Sequence, residues 1–69
     1  MFNPEKLKLM RESLGLSQED MMVEMSKSGV RFSRQTLYNW EKGKNPPGIN
    51  DLSQIALFFK KPIQYFMED

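Results

Sequence analysis

The feature that most restricts how this chain can fold is a helix-start signal that occurs three times. Each copy has a polar residue able to cap a helix, an apolar residue just before it, and another apolar residue four positions after it. The capping residues are Asn3, Ser17 and Ser33. A capping side chain accepts a hydrogen bond from a free N–H of the first turn, and the flanking apolar pair can pack as a hydrophobic staple. The sequence therefore predicts helices that begin at residues 4, 18 and 34.

Apolar residues recur at helical spacing behind each start, which predicts helix 1 over 4–14 and helix 3 over 34–42. The Asn-Pro-Pro-Gly segment at 45–48 cannot be helical, and it separates helix 3 from a fourth helix and a short fifth one. Gly15 and Gly43 stand where helix ends favour a left-handed residue. The predicted inward residues are Leu7, Met10 and Leu14; Met21, Met22 and Met25; Leu37 and Trp40; Ile49, Leu52, Ile55, Ala56 and Phe59; and Ile63, Phe66 and Met67.

No segment alternates apolar and polar residues with a period of two, so strands are not expected. The predicted fold class is all-α, with five helices in one compact domain over residues 1–69.

Composition argues against catalysis. The chain has no cysteine and no histidine, which removes the thiol nucleophile, the commonest general base and the commonest metal ligands. Its carboxylates are scattered, and it has no glycine-rich phosphate loop. We therefore expect no enzyme activity, metal, cofactor or small-molecule substrate. No apolar run approaches a membrane span or a secretory signal core, so a cytoplasmic protein without a membrane partner is expected.

Positive charge is concentrated in the middle of the chain. The segment 27–44 contains five cations and one anion, whereas the whole chain has a net charge of only +1. Such asymmetry focuses positive potential on one face, which suits an anionic partner. A solvated charged surface would produce the same pattern, so the charge alone does not decide between the two.

Helix 3 offers a polar outer face. If Leu37 and Trp40 point inward, helical geometry turns Arg34, Gln35, Tyr38, Asn39 and Lys42 outward. Arginine is suited to the guanine O6 and N7 atoms, and glutamine or asparagine is suited to adenine. An ordinary solvent-exposed helix face remains the alternative interpretation of this helix taken by itself.

The wider pattern resembles the phage repressor and Cro-like helix-turn-helix family. The resemblance is carried by LSQEDM at residues 16–21, by SRQTLYNWEKG at 33–43 and by the prolines at 46 and 47. It extends over about residues 5–67 and implies a five-helix, lambda-repressor-like domain that binds double-stranded DNA through helices 2 and 3.

The resemblance also implies roles for individual residues. Base-reading positions fall on Arg34, Gln35 and Asn39. Arg11 and Glu41 are expected to form a structural ion pair between helix 1 and the end of helix 3. The positions implied to contact phosphate are Gln18, Ser33, Thr36, Tyr38, Lys42 and Lys44.

One departure from the family pattern concerns the turn between helices 2 and 3. Ser17 and Ser33 lie sixteen positions apart, farther than the corresponding cap residues of the family. Either helix 2 gains a turn or the loop lengthens, and we expect Gly29 to lie in that loop. The basic residues Lys27 and Arg31 are possible additional backbone contacts on charge alone.

The functional hypothesis is a sequence-specific transcriptional regulator, expected to be a repressor that binds a two-fold operator as a homodimer. The candidate dimer contacts are Phe58, Lys60 and Tyr65, on helices 4 and 5. Phe58 could equally belong to the core, because it is next to Phe59 of the inner stripe. The alternative function is a protein-interaction module or an antitoxin-like adaptor on the same fold.

Overall fold

The computed structural model describes residues 1–67, which form five α-helices and no strands. The helices are α1 (Pro4–Ser13), α2 (Gln18–Ser26), α3 (Arg34–Glu41), α4 (Ile49–Phe59) and α5 (Ile63–Met67). The predicted all-α, five-helix fold class is confirmed. None of the helices described is long and apolar enough to cross a membrane.

Each of the first three helices starts at the residue that its capping signal predicts. The Asn3 side chain accepts hydrogen bonds from the backbone N–H groups of Glu5 and Lys6. Ser17 accepts from the Asp20 N–H at 3.0 Å, and the Asp20 carboxylate accepts from the Ser17 N–H at 3.1 Å, which completes a capping box. Local chemistry is therefore sufficient to set these boundaries.

A residue in the left-handed backbone conformation follows the end of α1, α3 and α4. Gly15 (φ 70°) and Gly43 (φ 74°) follow α1 and α3, and each helix ends one residue earlier than predicted. At the end of α4 the left-handed position is occupied by Lys60 (φ 57°), where glycine would avoid the steric cost. Pro62 prevents the helix from continuing, so the chain turns there into α5.

A single apolar cluster fills the space between the helices. Its buried members are Leu7, Met21, Met25, Leu37, Trp40, Leu52, Ile55, Ala56, Phe59 and Phe66. α1 packs against α3 and α5, so the first and last helices close the core together. The Asn3 N–H donates to the Phe66 carbonyl at 2.7 Å and ties the start of α1 to α5.

Three residues assigned to the inner stripes are in fact exposed: Leu14, Ile49 and Met67, the last of which is 38% exposed as the final residue of α5. Leu14 is 55% exposed because α1 ends at Ser13, and Leu14 is the residue that caps it. Ile49 is 67% exposed because it is the first residue of α4. Periodicity assigns a face to a residue, but a residue at a helix end can extend past its neighbours.

The extra length before α3 lies in the loop and not in α2. Residues 27–33 connect Ser26 to Arg34, with Gly29 in the left-handed region at φ 85°. The Val30 N–H donates to the Met25 carbonyl at 3.1 Å, which turns the loop back towards the core. Val30 is half-buried there, so the longer connection is anchored by packing.

The different burial of two leucines of α1 predicts that substituting them by alanine lowers the free energy of unfolding by different amounts. Leu7 is 0% exposed and Leu9 is 61% exposed, although both lie on the same helix. We expect Leu7→Ala to lower the free energy of unfolding by about 2–5 kcal/mol, because it removes buried methyl groups and leaves a cavity. The matched control Leu9→Ala should change it by less than about 0.5 kcal/mol. Urea unfolding followed by circular dichroism measures both, and equal losses would contradict the assignment.

Candidate nucleic-acid interface

α3 presents two chemically different faces. Leu37 and Trp40 are buried, and the Phe32 ring lies 5.1 Å from that of Trp40. On the opposite side, Arg34 and Gln35 are exposed. The apolar side of α3 packs into the core, and this packing orders the polar side, which faces the solvent.

The start of α2 lies beside the polar face of α3. Gln18, the first residue of α2, lines one shallow hollow together with Arg34, Gln35 and Tyr38. α2 packs directly against α3, and the buried methionines Met21 and Met25 belong to the same core cluster as Leu37. Side chains from both helices therefore meet at one surface.

A buried ion pair joins α1 to the end of α3. The Arg11 Nε donates to Glu41 Oε2 at 2.7 Å, and Arg11 Nη2 donates to Glu41 Oε1 at 3.0 Å. The two side chains are only 9% and 4% exposed, respectively. The hydrogen bond to Glu41 raises the pKa of the Arg11 guanidinium, against the opposing effect of burial.

The same pair also holds the start of α2. Arg11 Nη1 donates to the Leu16 carbonyl at 2.7 Å, two residues before α2 begins. Gln18 Nε2 donates to Glu41 Oε1 at 3.1 Å. This group of side chains thus connects three helices at a single carboxylate.

Two amides form a pair on the outer face of α3. Gln35 Nε2 donates to Asn39 Oδ1 at 3.1 Å, across one turn of the helix. The side-chain Oε1 of Gln35 and the side-chain Nδ2 of Asn39 make no hydrogen bond within residues 1–67. A donor and an acceptor are therefore available for groups outside the protein.

The first turn of α3 uses its hydroxyl groups internally. Ser33 Oγ accepts from the Thr36 N–H at 3.0 Å and lies 2.9 Å from Thr36 Oγ1. Ser33 is exposed and Thr36 is half-buried. The Ser33 side chain therefore caps the helix, and the Thr36 hydroxyl pairs with the capping hydroxyl.

Basic side chains flank the end of α3. The Nζ atoms of Lys42 and Lys44 each lie 5.6 Å from the centre of the Tyr38 ring. Both lysines are exposed, and Tyr38 also lines the hollow that contains Gln18, Arg34 and Gln35. The Tyr38 ring attracts both ammonium groups and keeps them close to it, where both can interact with an anionic ligand.

Comparison with known proteins identifies the family. Residues 5–68 match the family model described as a helix-turn-helix domain. The chain belongs to this helix-turn-helix family. Two related proteins are an uncharacterized HTH-type transcriptional regulator from Sinorhizobium medicae (strain WSM419) and another from Rhizobium meliloti (strain 1021). Each is 33% identical over 64 residues, a match that covers 93% of this chain and 42% of the relative's length. No solved structure matches this chain.

The start of α2 and the end of α3 have a basic neighbour that the sequence analysis did not identify. Lys8 of α1 lines a second hollow with Gln18, Glu41 and Lys42. Lys8 is three positions before Arg11, so both fall on one face of α1. The expected Arg11–Glu41 pair could have indicated Lys8, because that pair brings the face of α1 containing Lys8 to the end of α3.

Two other cations of the basic segment line neither of the two hollows that contain Gln18. Lys27, the residue after α2, pairs with Glu24 of α2, with 2.9 Å between Lys27 Nζ and Glu24 Oε2. Arg31 lines a separate hollow with Asn50 and Asp51 of α4. The net charge of segment 27–44 therefore overstates how many cations lie around Gln18.

Within residues 1–67 no group of three His, Cys, Asp or Glu residues is arranged to hold a metal ion.

The buried pair predicts an asymmetric response to substitution. Glu41→Ala should lower the free energy of unfolding by about 3 kcal/mol, because it leaves the buried Arg11 without its anion. The double variant Arg11→Met/Glu41→Leu should recover most of that loss, since no unpaired charge stays buried. Urea unfolding measures all three proteins.

The control is Glu24→Ala, which breaks the exposed Lys27–Glu24 pair and should cost less than about 0.5 kcal/mol. If Glu41→Ala were as mild as this control, the pair would not stabilise the fold.

Proposed function

We propose that residues 1–69 form a single DNA-binding domain of a transcriptional regulator that recognises a double-stranded operator in a sequence-specific way. The observation that carries this proposal is the exposed Arg34, Gln35 and half-buried Asn39 on a helix whose other side is buried. The two relatives, named as HTH-type transcriptional regulators, support the same class of function.

In this proposal α3 enters the major groove, which is wide enough for a helix. Arg34, in the first turn, donates to guanine O6 and N7. The amides of Gln35 and Asn39 contact the adjacent bases, using the donor and acceptor that their mutual hydrogen bond leaves available. The polar face is the appropriate one for this role, since base edges require hydrogen bonds rather than apolar contact.

Contacts to the DNA backbone surround the base-reading residues. Lys42 and Lys44 lie beyond the end of α3, where they can neutralise phosphates without entering the groove. Gln18 is at the N-terminus of α2, which favours an anion. The remaining proposed phosphate contacts are Ser33, Thr36 and Tyr38, with Lys8 as an addition from the geometry.

We also propose a homodimer that represses by occupying a two-fold operator in the cytoplasm, without a cofactor or catalytic activity. The surface of α4 supports this choice, because Leu57 is 71% exposed and lines a hollow together with Val30 and Phe58. Phe58 itself is half-buried against the core, as is Tyr65, whereas Lys60 is exposed. Leu57 is therefore the stronger candidate contact.

Selection of bound sequences from a random duplex pool tests the proposal. Arg34→Ala and Gln35→Ala should relax the selected preference, each weakening the preferred site by about 1–3 kcal/mol. Lys42→Ala and Lys44→Ala should weaken all duplexes alike and reduce the slope of log affinity against log salt by about one. Affinities are measured on the selected duplex and on a scrambled one.

Lys27→Ala is the matched control, because it removes an exposed lysine that pairs with Glu24 and lines neither of the hollows that contain Gln18. It should leave both preference and salt slope unchanged. If Arg34→Ala and Gln35→Ala altered neither affinity nor preference, α3 would not be the recognition helix. Absence of DNA binding by the unaltered chain at low salt would favour a protein-interaction module instead.

A further inference from the structure

The carboxylate of Glu41 does more than pair with Arg11. Its Oε1 atom accepts hydrogen bonds from both Arg11 Nη2 and Gln18 Nε2, at 3.0 and 3.1 Å. Arg11 and Glu41 are buried, whereas Gln18 is half-buried and reaches the surface. The side chain of Gln18 is thus connected on one side to the interior and open on the other.

A carboxylate selects one orientation of a neighbouring amide. It can only accept hydrogen bonds, so it attracts the N–H₂ end of Gln18 and repels the carbonyl end. One N–H of Gln18 is used in this contact, and the second N–H of the same nitrogen remains available. A side chain ordered in advance also loses less rotamer freedom when a ligand binds.

Arg11 keeps the Glu41 carboxylate compatible with an approaching anion. Two N–H groups of the guanidinium bind the two carboxylate oxygens, so the pair is neutral overall. Without Arg11, the negative charge beside Gln18 would repel a phosphate. Glu41 can therefore orient the Gln18 amide without opposing the ligand of that amide.

Gln18 also lies where the two parts of the proposed interface meet. One hollow joins it to Arg34 and Gln35, and the other joins it to Lys8 and Lys42. A DNA backbone that runs from the lysines towards the base-reading residues passes over this side chain.

We propose that Glu41 is a positioning residue for DNA binding, because it holds the Gln18 carboxamide in the orientation in which its second N–H donates to a phosphate. This inference rests on the proposed function. It assigns to Glu41 an effect on affinity that is separate from its contribution to the stability of the fold.

A double-mutant cycle on the pool-selected duplex tests the inference. Gln18→Met removes the amide but keeps the length of the side chain, and it should weaken binding by about tenfold in the otherwise unaltered chain, as expected for one hydrogen bond to a charged group. In the Arg11→Met/Glu41→Leu background, the same substitution should cost less than about twofold, since Gln18 is no longer held there. The selected base preference should stay the same in every variant.

Equal losses from Gln18→Met in the two backgrounds would overturn the inference, and so would no loss in the otherwise unaltered chain. A second measurement needs no background variant: the side-chain N–H₂ signals of Gln18 in the free protein, followed by NMR. We expect one proton to be shifted by the carboxylate and to lose that shift in Glu41→Gln. Signals indistinguishable from those of the exposed Gln64 would contradict the contact.

Lys42→Ala separates this inference from the proposed function. If Lys42→Ala weakens binding to the selected duplex while Gln18→Met does not, DNA binding stands and only the role of Glu41 fails. If the unaltered chain binds no duplex, both proposals fail together.

Discussion

The buried carboxylate of Glu41 is the point at which side chains of the first three helices are joined. It accepts from Arg11 of α1 and from Gln18 at the start of α2, while its own backbone ends α3. Arg11 in turn holds the Leu16 carbonyl of the turn between α1 and α2. Charge-assisted hydrogen bonds in a site shielded from water are directional, so this group adds defined orientations to the apolar contacts between the helices.

The apolar side of α3 complements that polar junction. Leu37 and Trp40 are buried in the shared core, and Phe32 packs its ring near that of Trp40 from the preceding loop. α3 is only eight residues long, too short to be stable as an isolated helix in water. Its polar face is therefore ordered by what lies beneath it, which explains how a short helix can present side chains in a defined register.

The long connection before α3 shows how the fold accommodates extra residues. Residues 27–33 do not extend α2, because Gly29 adopts a left-handed conformation and the Val30 N–H returns to the Met25 carbonyl. Val30 and Phe32 then pack against the core. Lys27 and Arg31 line neither of the hollows that contain Gln18; Lys27 pairs with Glu24, and Arg31 lies beside Asn50 and Asp51 of α4.

The sequence by itself determined the local features: the capped helix starts at Asn3, Ser17 and Ser33, and the all-α class. A cap or a periodic stripe involves residues within a few positions of one another, so its chemistry can be read from spacing. Only the tertiary structure decided that Leu14 and Ile49 are exposed, that Lys8 shares a hollow with Gln18 and Lys42, and that Gln18 donates to Glu41. These outcomes depend on where helix ends lie relative to one another, which is set by packing between residues distant in the chain.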